Sequence, residues 1–171
     1  GAHKVSVRSH YKAWRSQEEF ENVSPDFVTV VGAAPSDFRR FQTRNQFRIG
    51  PSREILFNYN WYRNNLNGQL TDTSKTQSPE AGLRWLGLFN RPSLTVDTKL
   101  RYRETWHTSA ATPKYTSVGE VLSLSDRFGD INGDIQYEHR NEKRGSTQKD
   151  SRNIVGINLA GFWRWDQAVF R

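Results

Sequence analysis

Apolar and polar residues alternate with a period of two through most of the chain, in segments separated by turn-rich stretches. Eight such segments stand out: Lys4 to Trp14, Arg40 to Ile49, Arg53 to Arg63, Ala81 to Phe89, Leu94 to Trp106, Val118 to Asp126, Asp130 to Arg140 and Ile154 to Trp165. In the fifth, Leu94, Val96, Leu100, Tyr102 and Trp106 fall on one face and Thr95, Asp97, Lys99, Arg101 and Arg103 on the other, because successive strand side chains point to opposite sides. The third sets Ile55, Phe57, Tyr59 and Trp61 against Asn58 and Asn60. The seventh sets Ile131, Ile135 and Tyr137 against Asp134, Gln136, Glu138 and Arg140, and the eighth sets Val155, Ile157, Leu159, Trp163 and Trp165 against Asn158 and Arg164. Trp14 is out of register with Val5, Val7 and Tyr11.

The connections alternate between tight and long. Gly50-Pro51-Ser52, Asn90-Arg91-Pro92-Ser93 and Arg127-Phe128-Gly129 are built from turn formers, whereas Ser16 to Phe38, Asn64 to Glu80, His107 to Ser117 and Asn141 to Arg152 read as long polar loops. Short turns on one rim, long loops on the other and strands with one apolar face predict an all-β fold. The specific form is an antiparallel up-and-down transmembrane β-barrel of about eight strands, a single domain over residues 1–171, or part of a larger barrel. Trp61 and Trp106 at one set of strand ends, and Phe89, Phe128, Trp163 and Trp165 at the other, predict aromatic girdles at two lipid–water boundaries. The competing reading places these rings in the core of a soluble sandwich.

Composition changes this picture little. Mean hydropathy is −0.84, but a barrel devotes only alternate residues to lipid, so a low average does not argue against it. No run approaches the eighteen or so apolar residues of a spanning helix. Gly1 to Val7 shows no signal-peptide pattern, so an exported protein would be in its mature form here. The absence of cysteine excludes disulfides, thiolate metal sites and Cys-x-x-Cys-His haem attachment, and no cofactor is expected.

Charge matters more. The chain carries +7, and the alternation turns Arg8, Lys12, Arg44, Arg48, Arg84, Lys99, Arg101, Arg103, Arg140 and Arg164 inward, against Asp97, Asp130, Asp134 and Glu138. Guanidinium groups bind carboxylates bidentately and keep their charge, so Arg44, Arg48, Arg84, Lys99, Arg101, Arg103, Arg140 and Arg164 are the candidate substrate-binding residues of a basic lumen. Alternatively, these cations pair with the inward acids and plug a narrow barrel. Eight strands enclose only their own side chains, so an open pore would need further strands.

The run Leu100-Arg101-Tyr102-Arg103, the polar loop after it, a strand from Tyr115, the turn Arg127-Phe128-Gly129 and the run Asp134-Ile135-Gln136-Tyr137-Glu138-His139-Arg140 together resemble the oligogalacturonate-type porins. The resemblance implies a narrow barrel in the outer membrane of a Gram-negative bacterium, with arginines lining a passage for acidic oligosaccharides; Arg101, Arg103 and Arg140 match the lumen positions. Eight strands rather than that family's twelve, and Arg171 following Phe170 where a terminal aromatic is usual, are departures.

No enzymatic constellation emerges. Glu138 and His139 face opposite ways, His107 opens a loop where solvation is the ordinary outcome, and neither a Gly-x-Ser-x-Gly elbow nor metal-ligand spacing occurs. The basic residues are spread over every strand rather than gathered in a patch, which argues against nucleic acid as a partner. The expected partners are the bilayer and lipopolysaccharide on the outside, and anionic solutes or acidic oligosaccharides on the inside. Two alternatives to a channel remain: a closed structural or adhesive small barrel, and a segment of a larger barrel scaffold sheathing a partner protein.

Overall fold

The computed structural model describes residues 1–24, 37–68, 72–109, 111–146 and 148–161. Nine strands are present: β1 (Ala2–Tyr11), β2 (Trp14–Val23), β3 (Phe38–Arg48), β4 (Arg53–Asn64), β5 (Ser74–Leu86), β6 (Thr95–His107), β7 (Tyr115–Phe128), β8 (Ile131–Arg144) and β9 (Gln148–Gly161). They form one antiparallel up-and-down sheet in sequence order, in which each strand pairs only with its chain neighbours. The sheet is open, with β1 and β9 as its edges.

The all-β, up-and-down expectation therefore holds, with corrections. There are nine strands rather than eight, because the segment Ser16 to Phe38, read as a loop, contains most of β2. The first predicted strand ends at Tyr11, a hairpin turn follows at 12–13 with Lys12 in the left-handed region (φ 50°), and Trp14 opens β2 directly opposite Tyr11. This turn explains the break in register: chain reversal puts Trp14 back on the face of Val5, Val7 and Tyr11. Phe89 belongs to a short 3-10 turn (Leu88–Asn90) rather than to a strand. The connections on one rim are 12–13, 49–52, 87–94 and 129–130, and on the other 24–37, 65–73, 108–114 and 145–147. The predicted contrast in length is thus only partial, since 87–94 outruns both 108–114 and 145–147. Arg164, Trp163 and Trp165 lie outside the described residues.

Directly paired residues share a face, so the register assigns every strand side chain. Arg44, Asn58, Glu80, Arg101, Gly119 and Arg140 lie in one cross-strand row. On the other face, Phe47, Ile55, Leu83, Thr98, Leu122, Tyr137 and Val155 form a row. The first face is concave: side chains from β3 to β8 close around one cavity of about 420 Å³. Only Val23, Leu56, Leu94 and Val121 are buried hydrophobics among the described residues, whereas Leu100, Leu122, Ile135 and Ile157 on the convex face are 53%, 48%, 48% and 69% exposed.

The apolar belt also runs obliquely across the strands. The row through Val7 continues through Glu18, Thr43, Tyr59 and Pro79, and on through Tyr102, Val118 and Asn141 to Ser151. Yet the apolar run of β9, Val155 to Leu159, centres on Ile157, which is 157 − 151 = 6 residues nearer the short-turn rim. A belt of constant height displaced stepwise along the strands is what tilted, sheared strands produce.

One close backbone approach fixes β5 on β6. A Cβ on Gly82 would press against the Thr98 carbonyl oxygen and come within 2.8 Å of Lys99 Cγ. Gly82→Ala is accordingly expected to cost about 1–3 kcal/mol through overpacking, read as a lower urea midpoint.

Candidate functional site: the charged concave face

The concave face carries the chemistry. Its strand residues include fourteen Lys and Arg against nine Asp and Glu, a net of 14 − 9 = +5. The period-two pattern of β6 puts Asp97, Lys99, Arg101 and Arg103 here, as the alternation predicts, and the neighbouring strands add their own charges by register.

Lys4, Glu19, Arg40 and Glu21 form an ionic cluster across β1 to β3. Two more lie across β3 to β8, linked where Lys99 comes within 3.8 Å of Glu80. In the first of these two, Arg84 grips Asp97 with a bidentate fork, Nε to Oδ1 at 2.8 Å and Nη2 to Oδ2 at 2.8 Å. Glu54 lies 3.8 Å from Arg84 and 3.7 Å from Arg48, and Lys99 lies 3.8 Å from Asp97. In the second, Glu80 accepts from Arg101 Nε at 2.5 Å and from Asn58 at 2.8 Å. Glu138 accepts from Arg140 Nε at 2.8 Å and from Arg101 Nη1 at 3.4 Å, and Glu142 lies 3.6 Å from Arg140. Glu138 therefore bridges β8 to β6 across the intervening β7. It passes over Gly119, where a Cβ would lie 2.9 Å from Glu138 Oε1. A glycine at that point opens the space that the carboxylate occupies.

Of the predicted lumen residues, Arg48, Arg84, Lys99, Arg101 and Arg140 are thus held in ion pairs. Arg44 and Arg103 lie on the same face but form no hydrogen bond or ion pair among the described residues. Arg44 lines a second cavity, of about 660 Å³, with Arg8, His10, Arg15, Arg84 and Lys99 among its neighbours. Sequence reasoning missed Arg15, because β2 was not recognised as a strand.

His107 requires a correction. It is not a solvated loop residue: it ends β6, and its Nδ1 lies 2.7 Å from Asp72 Oδ2. Asp72 Oδ1 in turn accepts from the Ser109 backbone N–H at 3.0 Å and from the Thr108 hydroxyl at 3.3 Å. The Ser109 amide is the main reason that the Asp72 carboxyl titrates below its usual range, with His107 adding to the effect and burial opposing it. The signal available in sequence was only a polar loop; the partner lies 35 residues away.

Glu138 and His139 do face opposite ways: His139 pairs with Glu120 on the convex face and meets Asn153 at 2.8 Å. Among the described residues, no group of three or more His, Cys, Asp or Glu could hold a metal ion, and no helix is long and apolar enough to cross a membrane. Comparisons of the chain with protein-family models, with curated proteins and with solved structures return no match.

Proposed function

We propose that this sheet is the wall of a transmembrane β-barrel in the outer membrane of a Gram-negative bacterium. Its convex side meets lipid, and its concave side lines a water-filled, net-positive passage for anionic solutes, acidic oligosaccharides among them. The observation that carries the reading is the inverted polarity of the two faces. Large apolar side chains stand outward in a belt that crosses the strands obliquely, while ion-paired charge fills the inner side. In water, such a face would be an aggregation hazard; in hydrocarbon, it is the stable arrangement. Net positive charge in a low-dielectric passage concentrates counter-ions, and transport of this kind needs no cofactor or catalytic step.

A second reading, that the chain is a segment of a larger barrel, is favoured by the sheet edges. Lipid does not tolerate unpaired backbone, so β1 and β9 need partners. With nine strands the two edges run in the same direction, and direct closure would create a parallel seam. An odd number of additional strands restores antiparallel pairing throughout, and a wider barrel leaves an open lumen.

Planar-bilayer recording of the full protein across a potassium chloride gradient tests the passage. The expected reversal potential is anion-selective, and Arg44→Glu with Arg103→Glu shifts it toward cations, because neither arginine is tied up in an ion pair. Cation selectivity in the unaltered protein, or no conductance, would contradict the proposal.

A further inference from the structure

We propose that the long-loop end of the concave face holds a discrete oxyanion site, built from Arg103, Arg144 and His107 with the hydroxyls of Thr105, Thr112 and Tyr115. The site rests on the reading of this face as water-filled. Arg103, Thr105 and His107 alternate along β6, Tyr115 is paired with Thr105, and Arg144 is paired with Tyr115, so all five side chains share the concave face. With Thr112 and Pro113 they line a single cavity of about 430 Å³.

The lining has no carboxylate. Neither guanidinium is in an ion pair among the described residues, in contrast to Arg84, Arg101 and Arg140 deeper along the same face. Arg144 Cζ lies over the Tyr115 ring, 5.8 Å from its centroid, a cation–π approach that commits the group to no carboxylate. His107 adds a third group. Asp72 engages Nδ1, so Nε2 is the nitrogen left to face the cavity. Asp72 is thus a positioning residue: Oδ2 meets the imidazole, and Oδ1 is held by the Ser109 amide and the Thr108 hydroxyl.

Two forked cations, the imidazole edge of His107 and the hydroxyls of Thr112 and Tyr115, with that of Thr105 shared with Thr76 at 3.0 Å, suit a compact oxyanion, either a carboxylate or a phosphate or sulfate group. A position on the concave side separates the site from lipid headgroups, which would meet the convex face.

The test is equilibrium binding to the full protein folded in detergent micelles, with inorganic phosphate as the probe, followed by phosphorus-31 NMR line broadening. Galacturonate, added as competitor, reports whether a carboxylate enters the same place. Wild-type protein should broaden the phosphate line, and Arg103→Gln/Arg144→Gln should weaken binding at least about tenfold, the loss of one charge-assisted hydrogen bond or more. The convex-face control Arg53→Gln should leave it unchanged. Arg144→Gln alone serves if the double variant folds poorly, and should weaken binding severalfold. No broadening by wild type, or broadening that survives these substitutions, overturns the site. Phosphate binding by a protein that does not conduct would remove the passage and keep the site; anion-selective conductance without phosphate binding would do the reverse.

Discussion

Leu122→Arg should destabilise the protein in a bilayer by about 2–4 kcal/mol, the cost of a cation on the lipid side near mid-membrane. Leu122 lies in the interior of β7 on the convex face, between Thr98 and Tyr137, and is 48% exposed. At that exposure in water, the same change would fall within about 0.5 kcal/mol of neutral, so one substitution separates the two environments by several-fold. The neighbouring Ser123→Arg places its charge on the concave face beside Asp97 and should be tolerated. Folding titrations into lipid vesicles, read by the shift in heat-modified gel mobility, give both values. A Leu122→Arg protein that folds as readily as wild type would remove lipid from the convex face.

Glu138→Leu is expected to cost about 2–3 kcal/mol, measured as a lowered urea midpoint in micelles. Glu138 is 4% exposed and, among the described residues, is the only carboxylate that joins Arg101 to Arg140. Removing it takes from each of two guanidiniums a charge-assisted hydrogen bond of about 1.5–3 kcal/mol, while Arg101 keeps Glu80 and Arg140 keeps Glu142. The sum is reduced because both arginines are about one-third exposed, 37% and 33%, and therefore partly screened. Restoring only shape, with Glu138→Gln, should recover part of the loss, since the amide oxygen still accepts one bond. An unchanged midpoint in the leucine variant would mean that the ion-pair cluster contributes little to holding β6, β7 and β8 together.

The elements that escaped sequence reading share a physical cause. Period-two alternation is visible only where a strand crosses the apolar belt, and several strands run past it. The first half of β5 places Lys75, Gln77 and Pro79 on the convex face, and the first half of β9 places Lys149, Ser151 and Asn153 there, so both stretches read as loop. Within β2, Ser16 and Glu18 interrupt the convex row between Trp14 and Phe20, and the preceding turn uses Lys12-Ala13 rather than glycine, proline or asparagine. By contrast β4 and β6 each carry four apolar residues on the convex face, enough for the alternation to be legible even though Thr98 and Glu104 interrupt it in β6. The same holds for the site. Which arginines point inward follows from parity alone, but which of them find a carboxylate depends on register across three strands, as where Glu138 crosses Gly119 to reach Arg101, and a single sequence does not contain that information.

Because each ribbon partner is the next or previous segment of the chain, from β1 through β9, the architecture grows by accretion. Every added hairpin completes its own hydrogen bonds without waiting for a remote piece to arrive, and loop-closure entropy stays small at each stage. Such a sheet can lengthen or shorten in hairpin units through duplication or loss, with the surviving pairings untouched, so its breadth becomes a property that evolution can adjust by counting.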